Sequence, residues 1–224
     1  MHWYPSATPA DTISGIAFGP SNLLACVSWD GVARIEDLHH TVSYTTAFSR
    51  PLFAVAWQAR GAQLWCGGGE NRVSWLDVER KITADRFACE DPVLALRAAN
   101  AADTVVAGST ISTTFLADPR SQHTQKIGAG AQCLDVRGHY LATALDDQNL
   151  VVDLRSPRTP LAVNKMLPGT RALALQWVSS DAYAVADRES RICVASLAKP
   201  SFTFRSNRVK HAGSAASRPI YALA

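Results

Sequence analysis

Three stretches of this 224-residue chain set reactive side-chain types next to each other. Gly67-Gly68-Gly69 could cradle a phosphate, His39-His40 could ligate a metal, and Asp146-Asp147 could act as a paired acid and base. None has the surroundings its chemistry needs. A phosphate loop has the spacing G-x-x-x-x-G-K-[ST] and a helix N-terminus behind it, and the glycines here have neither. Adjacent residues of a strand point to opposite faces, so His39 and His40 would diverge, and no acidic or cysteine partner sits at ligand spacing. The aspartate pair falls in a turn between strands, where aspartate is ordinary. No G-x-S-x-G elbow is present. The five cysteines, Cys26, Cys66, Cys89, Cys133 and Cys193, contain no C-x-x-C pair of the kind zinc or redox chemistry uses. The expectation is a non-enzyme with no catalytic residue, metal or cofactor.

What remains is the chemistry of binding. Trp29-Asp30-Gly31 places a large aromatic at a turn signal. Such a tryptophan either caps its own structural unit or anchors a bound peptide, because Trp, Tyr and Arg dominate interface hot spots.

The elements that must position it show in the repeats. Asp37, Asp77, Asp118, Asp153 and Ser196 end similar apolar runs at steps of 40, 41, 35 and 43 residues. That period, with four short strands per unit, is the period of WD-type propeller blades. In the first unit, Ile13–Phe18, Leu23–Trp29, Val32–Leu38 and Thr41–Phe48 are apolar or β-branched runs separated by Gly19-Pro20-Ser21-Asn22 and Asp30-Gly31. "LFAVAW", "QLWCGGG", "RVSWLDV" and "ITADRFA" repeat the order, and Cys26 and Cys66 occupy equivalent places. The blades fall at about 12–48, 52–88, 93–130, 131–168 and 171–206, the last three with weaker fourth strands. The WD position of the first is Glu36-Asp37, so Trp29-Asp30 is not the blade signature. No helix is expected: Ala-rich Arg97–Asp103 sits where a turn is due. Residues 207–224 read as a loop and the start of a further blade, with "RPIYALA" as its first strand. The expected fold is all-β, one WD-repeat β-propeller domain over 1–224 with about five visible blades. Either the ring is a shortened one, or it is small and closed irregularly by "MHWYPSATP". Exposed strand edges make closure important.

Bulk properties fit a globular chain: 47% hydrophobic, 18% charged and a net charge of +3. That charge is too weak to argue for nucleic acid or membrane. Met1–Asp11 has no apolar core of a secretion signal, and no apolar run approaches the roughly 20 residues of a spanning helix. A soluble intracellular chain with reduced, mostly buried thiols is expected.

The order of these stretches carries a resemblance. "ISGIAFGPSNLLACVSWDGVARIEDL" resembles the first blade of the mitotic-checkpoint WD-repeat family, the "budding uninhibited by benzimidazoles" partners of the checkpoint kinases. "LFAVAWQARGAQLWCGGGENRVSWLDVE" is similar to its second blade and "QCLDVRGHYLATALDDQNLVVDLRS" to its fourth. "SFTFRSNR" is similar to the family's Phe-x-Phe-Lys-Cys-His-Arg segment, and "RPIYALA" to the stretch after it. The resemblance covers nearly the whole chain. It extends to a sister family, the WD-repeat messenger-RNA export factor of the nuclear pore. Full-length members have two more blades, which implies a shortened seven-bladed ring.

The resemblance implies a non-enzymatic scaffold whose propeller face binds a short glutamate-bearing segment, the GLEBS motif, of checkpoint kinases or of a nucleoporin. The matching positions are Trp29, Arg171, Arg191, Arg205 and Arg208. An arginine fork fits a carboxylate bidentately. The alternative for each arginine is a solvated charge or a local strand pair. The implied setting is spindle-assembly-checkpoint signalling at the kinetochore in the nucleus, as a monomeric propeller within a complex. The other setting is messenger-RNA export at the nuclear pore; "GHYLATALDDQNLVVDLRS" favours the checkpoint branch. Neither implies a membrane or direct nucleic-acid partner. The chain departs from the family at Gly108-Ser109-Thr110-Ile111, which has no aromatic, and at Ser206-Asn207, where the family has Cys-His. Basic Arg205–Pro219 reads as a nucleic-acid arm or, more simply, as a mobile loop beside the binding face: its four Arg/Lys lack interleaved aromatics.

Overall fold

The structure, a computed structural model, describes residues 8–39, 43–58, 62–99, 104–109, 112–118, 123–145, 148–166, 171–198, 201–206, 208–211, 214–217 and 219–223. It is all-β and of the propeller class, built from four-stranded antiparallel blades. The first blade is β1 (Ile13–Phe18), β2 (Leu23–Ser28), β3 (Val32–Asp37) and β4 (Ser43–Ala47). The second is β5 (Leu52–Trp57), β6 (Gln63–Gly68), β7 (Arg72–Asp77) and β8 (Ile82–Ala88). The third is β9 (Val93–Ala99), β10 (Thr104–Ser109), β11 (Thr114–Asp118) and β12 (His123–Gly128). The fourth is β13 (Cys133–Arg137), β14 (Tyr140–Ala144), β15 (Gln148–Asp153) and β16 (Pro160–Lys165). The fifth is β17 (Ala172–Trp177), β18 (Ala182–Asp187), β19 (Arg191–Ser196) and β20 (Phe202–Arg205). Each blade is a meander in which sequential strands are neighbours.

The chain forms two compact units, 1–129 and 130–224. In the first, the core lies between blades. Ala25, Val27 and Ile35 of blade one pack with Leu52, Val55 and Leu64 of blade two. Trp65 and Val73 of blade two pack with Val93, Leu96 and Phe115 of blade three. The second unit repeats the plan, with Ala142 and Val151 of blade four against Leu175, Trp177 and Tyr183 of blade five. Two tryptophans at the ends of first strands link neighbours: Trp57 donates from Nε1 to the Ala17 carbonyl at 2.9 Å, and Trp177 to the Asp135 carbonyl at 3.2 Å. Such a partner offsets the desolvation of the indole N–H. Gly68, in the triplet that resembles no phosphate loop, is explained by packing, since a Cβ there would collide with the Pro51 carbonyl.

Three local expectations are corrected. Arg97–Ala99, expected in a turn, belong to β9, where their amides pair with β10; Ala-rich propensity yields to the ladder, and 100–103 lie outside the described residues. Arg205–Pro219 is not a plain loop: β21 (Arg208–His211) and β22 (Ser214–Ser217) pair as a two-stranded antiparallel sheet. "RPIYALA" does not form a strand over Pro219–Leu223. A strand needs a hydrogen-bonded neighbour, and the backbone contact made here is Ile220 N–H to the Asp187 carbonyl at 3.3 Å.

Candidate functional site

In the first unit, the turn between β2 and β3 presents Trp29 on a rigid base. Gly31 has φ +77, and a Cβ on it would come within 2.8 Å of the Phe48 carbonyl, so glycine is required. Asp30 ties the turn down. Its carboxylate accepts from the backbone of Ala10 and Val32, each at 2.9 Å. It is clasped by both terminal nitrogens of Arg34, at 2.6 and 3.2 Å. Both side chains are about nine-tenths buried. The Arg34 hydrogen bond, with smaller contributions from the backbone donors, outweighs burial and holds the Asp30 carboxyl down at about 2. Ser28, fully buried, donates from Oγ to the Asp11 carbonyl. On this base Trp29 is 52% exposed, and its ring meets Phe53 of blade two edge-on at 6.0 Å. It therefore caps the neighbouring blade with one edge and leaves a large apolar surface open.

The same turn recurs. Asn71 in blade two and Ser190 in blade five take positive φ at the place of Gly31. That equivalence puts Arg188 of blade five at the place of Trp29. The backbone agrees: Trp29 N–H donates to the Thr12 carbonyl, and Arg188 N–H to the Arg171 carbonyl. Arg171 and Arg188 are thus neighbours at one end of blade five, and both side chains are exposed.

Beneath them, Arg191 is placed differently from the expected partner-facing role. Its Nε lies 2.6 Å from Asp187 and its Nη2 3.3 Å from Glu189, and its side chain is 11% exposed. Asp187 also accepts from the amides of Glu189 and Arg191. This is the local strand pair, a brace of the turn. Arg205 sits directly across from Arg191 in the ladder and is exposed. Like charges opposed on two strands destabilise, and Asp187 with Glu189 offsets that. Arg208 lies in β21, and its side chain is outside the described residues.

A recess of about 220 Å³ opens beside this cluster, lined by Lys165 and Met166 of blade four and by Asp187, Arg191, Cys193, Ser201 and Thr203. Residues 171–224 carry eight Lys/Arg against three Asp/Glu, and two of those acids are engaged with Arg191. The positive surplus of the chain is concentrated here. Such an arrangement attracts carboxylates and offers them forked donors.

Of the residues read from the sequence, the second unit brings Arg171, Arg191 and Arg205 to one end of blade five; Trp29 stands in the first unit. Arg188 escaped the sequence reading. The one signal for it is positional, its alignment with Trp29 through the repeat. Among the described residues no group of three or more His, Cys, Asp or Glu could hold a metal. No described helix is long and apolar enough to cross a membrane. Burial pushes the Cys89 thiol up to about 11 and raises that of Cys66 further, which disfavours the reactive thiolate at these two positions. A scan against protein-family models finds no match, and a search of the curated proteins finds none.

Proposed function

We propose that the chain is a non-enzymatic WD-repeat scaffold that captures a glutamate-bearing peptide on the basic end of blade five. The observation that carries this reading is the convergence of exposed Arg171, Arg188 and Arg205 around the braced Arg191. Exposed arginines steer and pair acidic side chains, while the brace fixes the turn that presents them. Trp29, held on its own rigid turn, is the kind of aromatic that anchors an interface.

The resemblance to the checkpoint family supplies the finer reading: a GLEBS-type segment of a checkpoint kinase, bound in spindle-checkpoint signalling at the nuclear kinetochore. The messenger-RNA export branch, with a nucleoporin in place of the kinase, shares this binding chemistry. A pulldown with the full chain from dividing-cell extract divides them. Checkpoint kinases retained by the chain and lost in an Arg171→Glu/Arg188→Glu variant are expected. Retention of a nucleoporin alone would move the chain to the export branch, and retention of neither would remove both.

A further inference from the structure

The outer edge of blade five carries an exposed aromatic pair. Natural sheets guard edge strands with charge, proline or bulges. The β12 strand carries Lys126 and β8 carries Asp85, while β16, with Leu161 and Val163 exposed, opens on Pro160 and closes on Lys165. The β4 strand has no charge, and the exposed positions among its described side chains are Thr45 and Ala47. The β20 strand, Phe-Thr-Phe-Arg, has neither charge nor proline before Arg205, and all four residues are exposed. Among the described residues it pairs with β19 on one side only.

Its two faces differ. Thr203 lines the recess shared with Lys165 and Met166 of blade four. By strand alternation Arg205 shares that face, and Phe202 and Phe204 occupy the other. The two rings stack at 6.2 Å and are 58% and 45% exposed. In register, Phe204 lies opposite Ile192 and Phe202 opposite Val194, so the aromatic pair extends an apolar face across β19. This edge, paired on one side only among the described residues, thus has an apolar side and a basic, hydroxyl-bearing side.

We propose that this edge accepts an extended segment of a partner protein as a fifth strand, and that the segment alternates apolar and acidic residues. A strand laid on β20 would place every second side chain beside Phe202 and Phe204. The intervening ones would lie beside Thr203 and Arg205, with Lys165 across the recess. Backbone hydrogen bonds supply the affinity of strand addition, and alternate side chains supply the selectivity. Acidic residues are specified by charge complementarity: this part of the chain is basic, and Asp187 and Glu189 are already engaged with Arg191. The edge shares Arg205 with the capture reading above but uses neither Trp29 nor the Arg171–Arg188 pair, so variants of that pair tell the two apart.

The test is a fluorescence-anisotropy titration of the full chain with a labelled eight-residue peptide of alternating Glu and Val. Beside it run a block peptide of the same composition and two peptides N-methylated on alternate residues, one set for each edge. Saturable binding of the alternating peptide is expected, at least about tenfold weaker for the block peptide and for one of the two methylated sets. A Phe202→Ser/Phe204→Ser chain should lose at least about tenfold as well, with its cooperative melt retained because both rings are largely open to water. Arg171→Glu/Arg188→Glu should leave this binding within about threefold, which separates the edge from the turn site. Absence of saturation, or equal binding of all four peptides, would overturn the proposal. Sedimentation showing a dimer that the Phe202→Ser/Phe204→Ser chain abolishes would overturn it too, assigning the edge to a second copy of the chain.

Discussion

Asp30 and Arg34 carry the clearest energetic consequence of any residue pair in the chain. Each is about nine-tenths buried, and each supplies what the other needs. Removing one partner of such a pair leaves an uncompensated charge, which costs more than the intact pair contributes. Arg34→Met should destabilise the fold by about 3 kcal/mol, read by chemical denaturation. The Asp30 carboxyl is lowered from 3.8 to about 2 in the folded chain. A lowered acid stabilises above its unfolded value and loses that contribution as pH falls through its folded value. The stability Asp30 adds is therefore fully present above about pH 4 and declines toward pH 2. Asp30→Asn should be less stable at neutral pH and show a shallower loss of stability between pH 4 and 2. Trp29→Ala, by contrast, removes a half-exposed ring, and it should cost no more than about 1 kcal/mol of stability. Arg34 was not legible as a structural ion: in "VARIEDL" it looks like the solvent-facing member of an alternating strand. Only the turn that bends Asp30 back over it makes it a brace.

At the scale of the element, the four-strand meander was legible because hydrophobic alternation and turn residues agree over five successive blades. The β1 strand covers Ile13–Phe18 as the pattern indicates, and Asp30-Gly31 makes the turn. The failures have one cause. A strand is defined by its neighbour, and a single sequence does not show the neighbour. "RPIYALA" has a strand pattern without a ladder over its described residues 219–223, while Arg208–His211 and Ser214–Ser217 have a weak pattern and pair with each other. Two variants test the elements that hold the blades. Trp65 is fully buried and stacks on Phe87 at 5.8 Å, and Trp65→Ala should cost about 3–5 kcal/mol of stability. Gly31→Ala forces a left-handed residue against the Phe48 carbonyl and should cost at least about 1–2 kcal/mol, melting blade one first in hydrogen exchange.

Over the whole molecule, an overall charge of +3 hides an uneven distribution, with the basic surplus gathered in the last blade and in the residues C-terminal to it. That asymmetry, visible in the sequence, gains meaning only when the fold shows which arginines are open and which are engaged. Arg191, an attractive candidate by position, proves to be part of the frame. Arg191→Glu would set a third carboxylate beside buried Asp187 and exposed Glu189 and disturb the turn itself. The exposed pair Arg171 and Arg188 carries no such burden and separates binding from folding.

The most direct measurement is a titration of a labelled GLEBS-type peptide against the full chain and against Arg171→Glu/Arg188→Glu, with thermal melts of both. Saturable binding that weakens at least about tenfold in the variant, with the melt unchanged, is the expected result. Equal affinity in both proteins, or no binding to a chain that melts cooperatively, would contradict capture of an acidic peptide by the basic end of blade five.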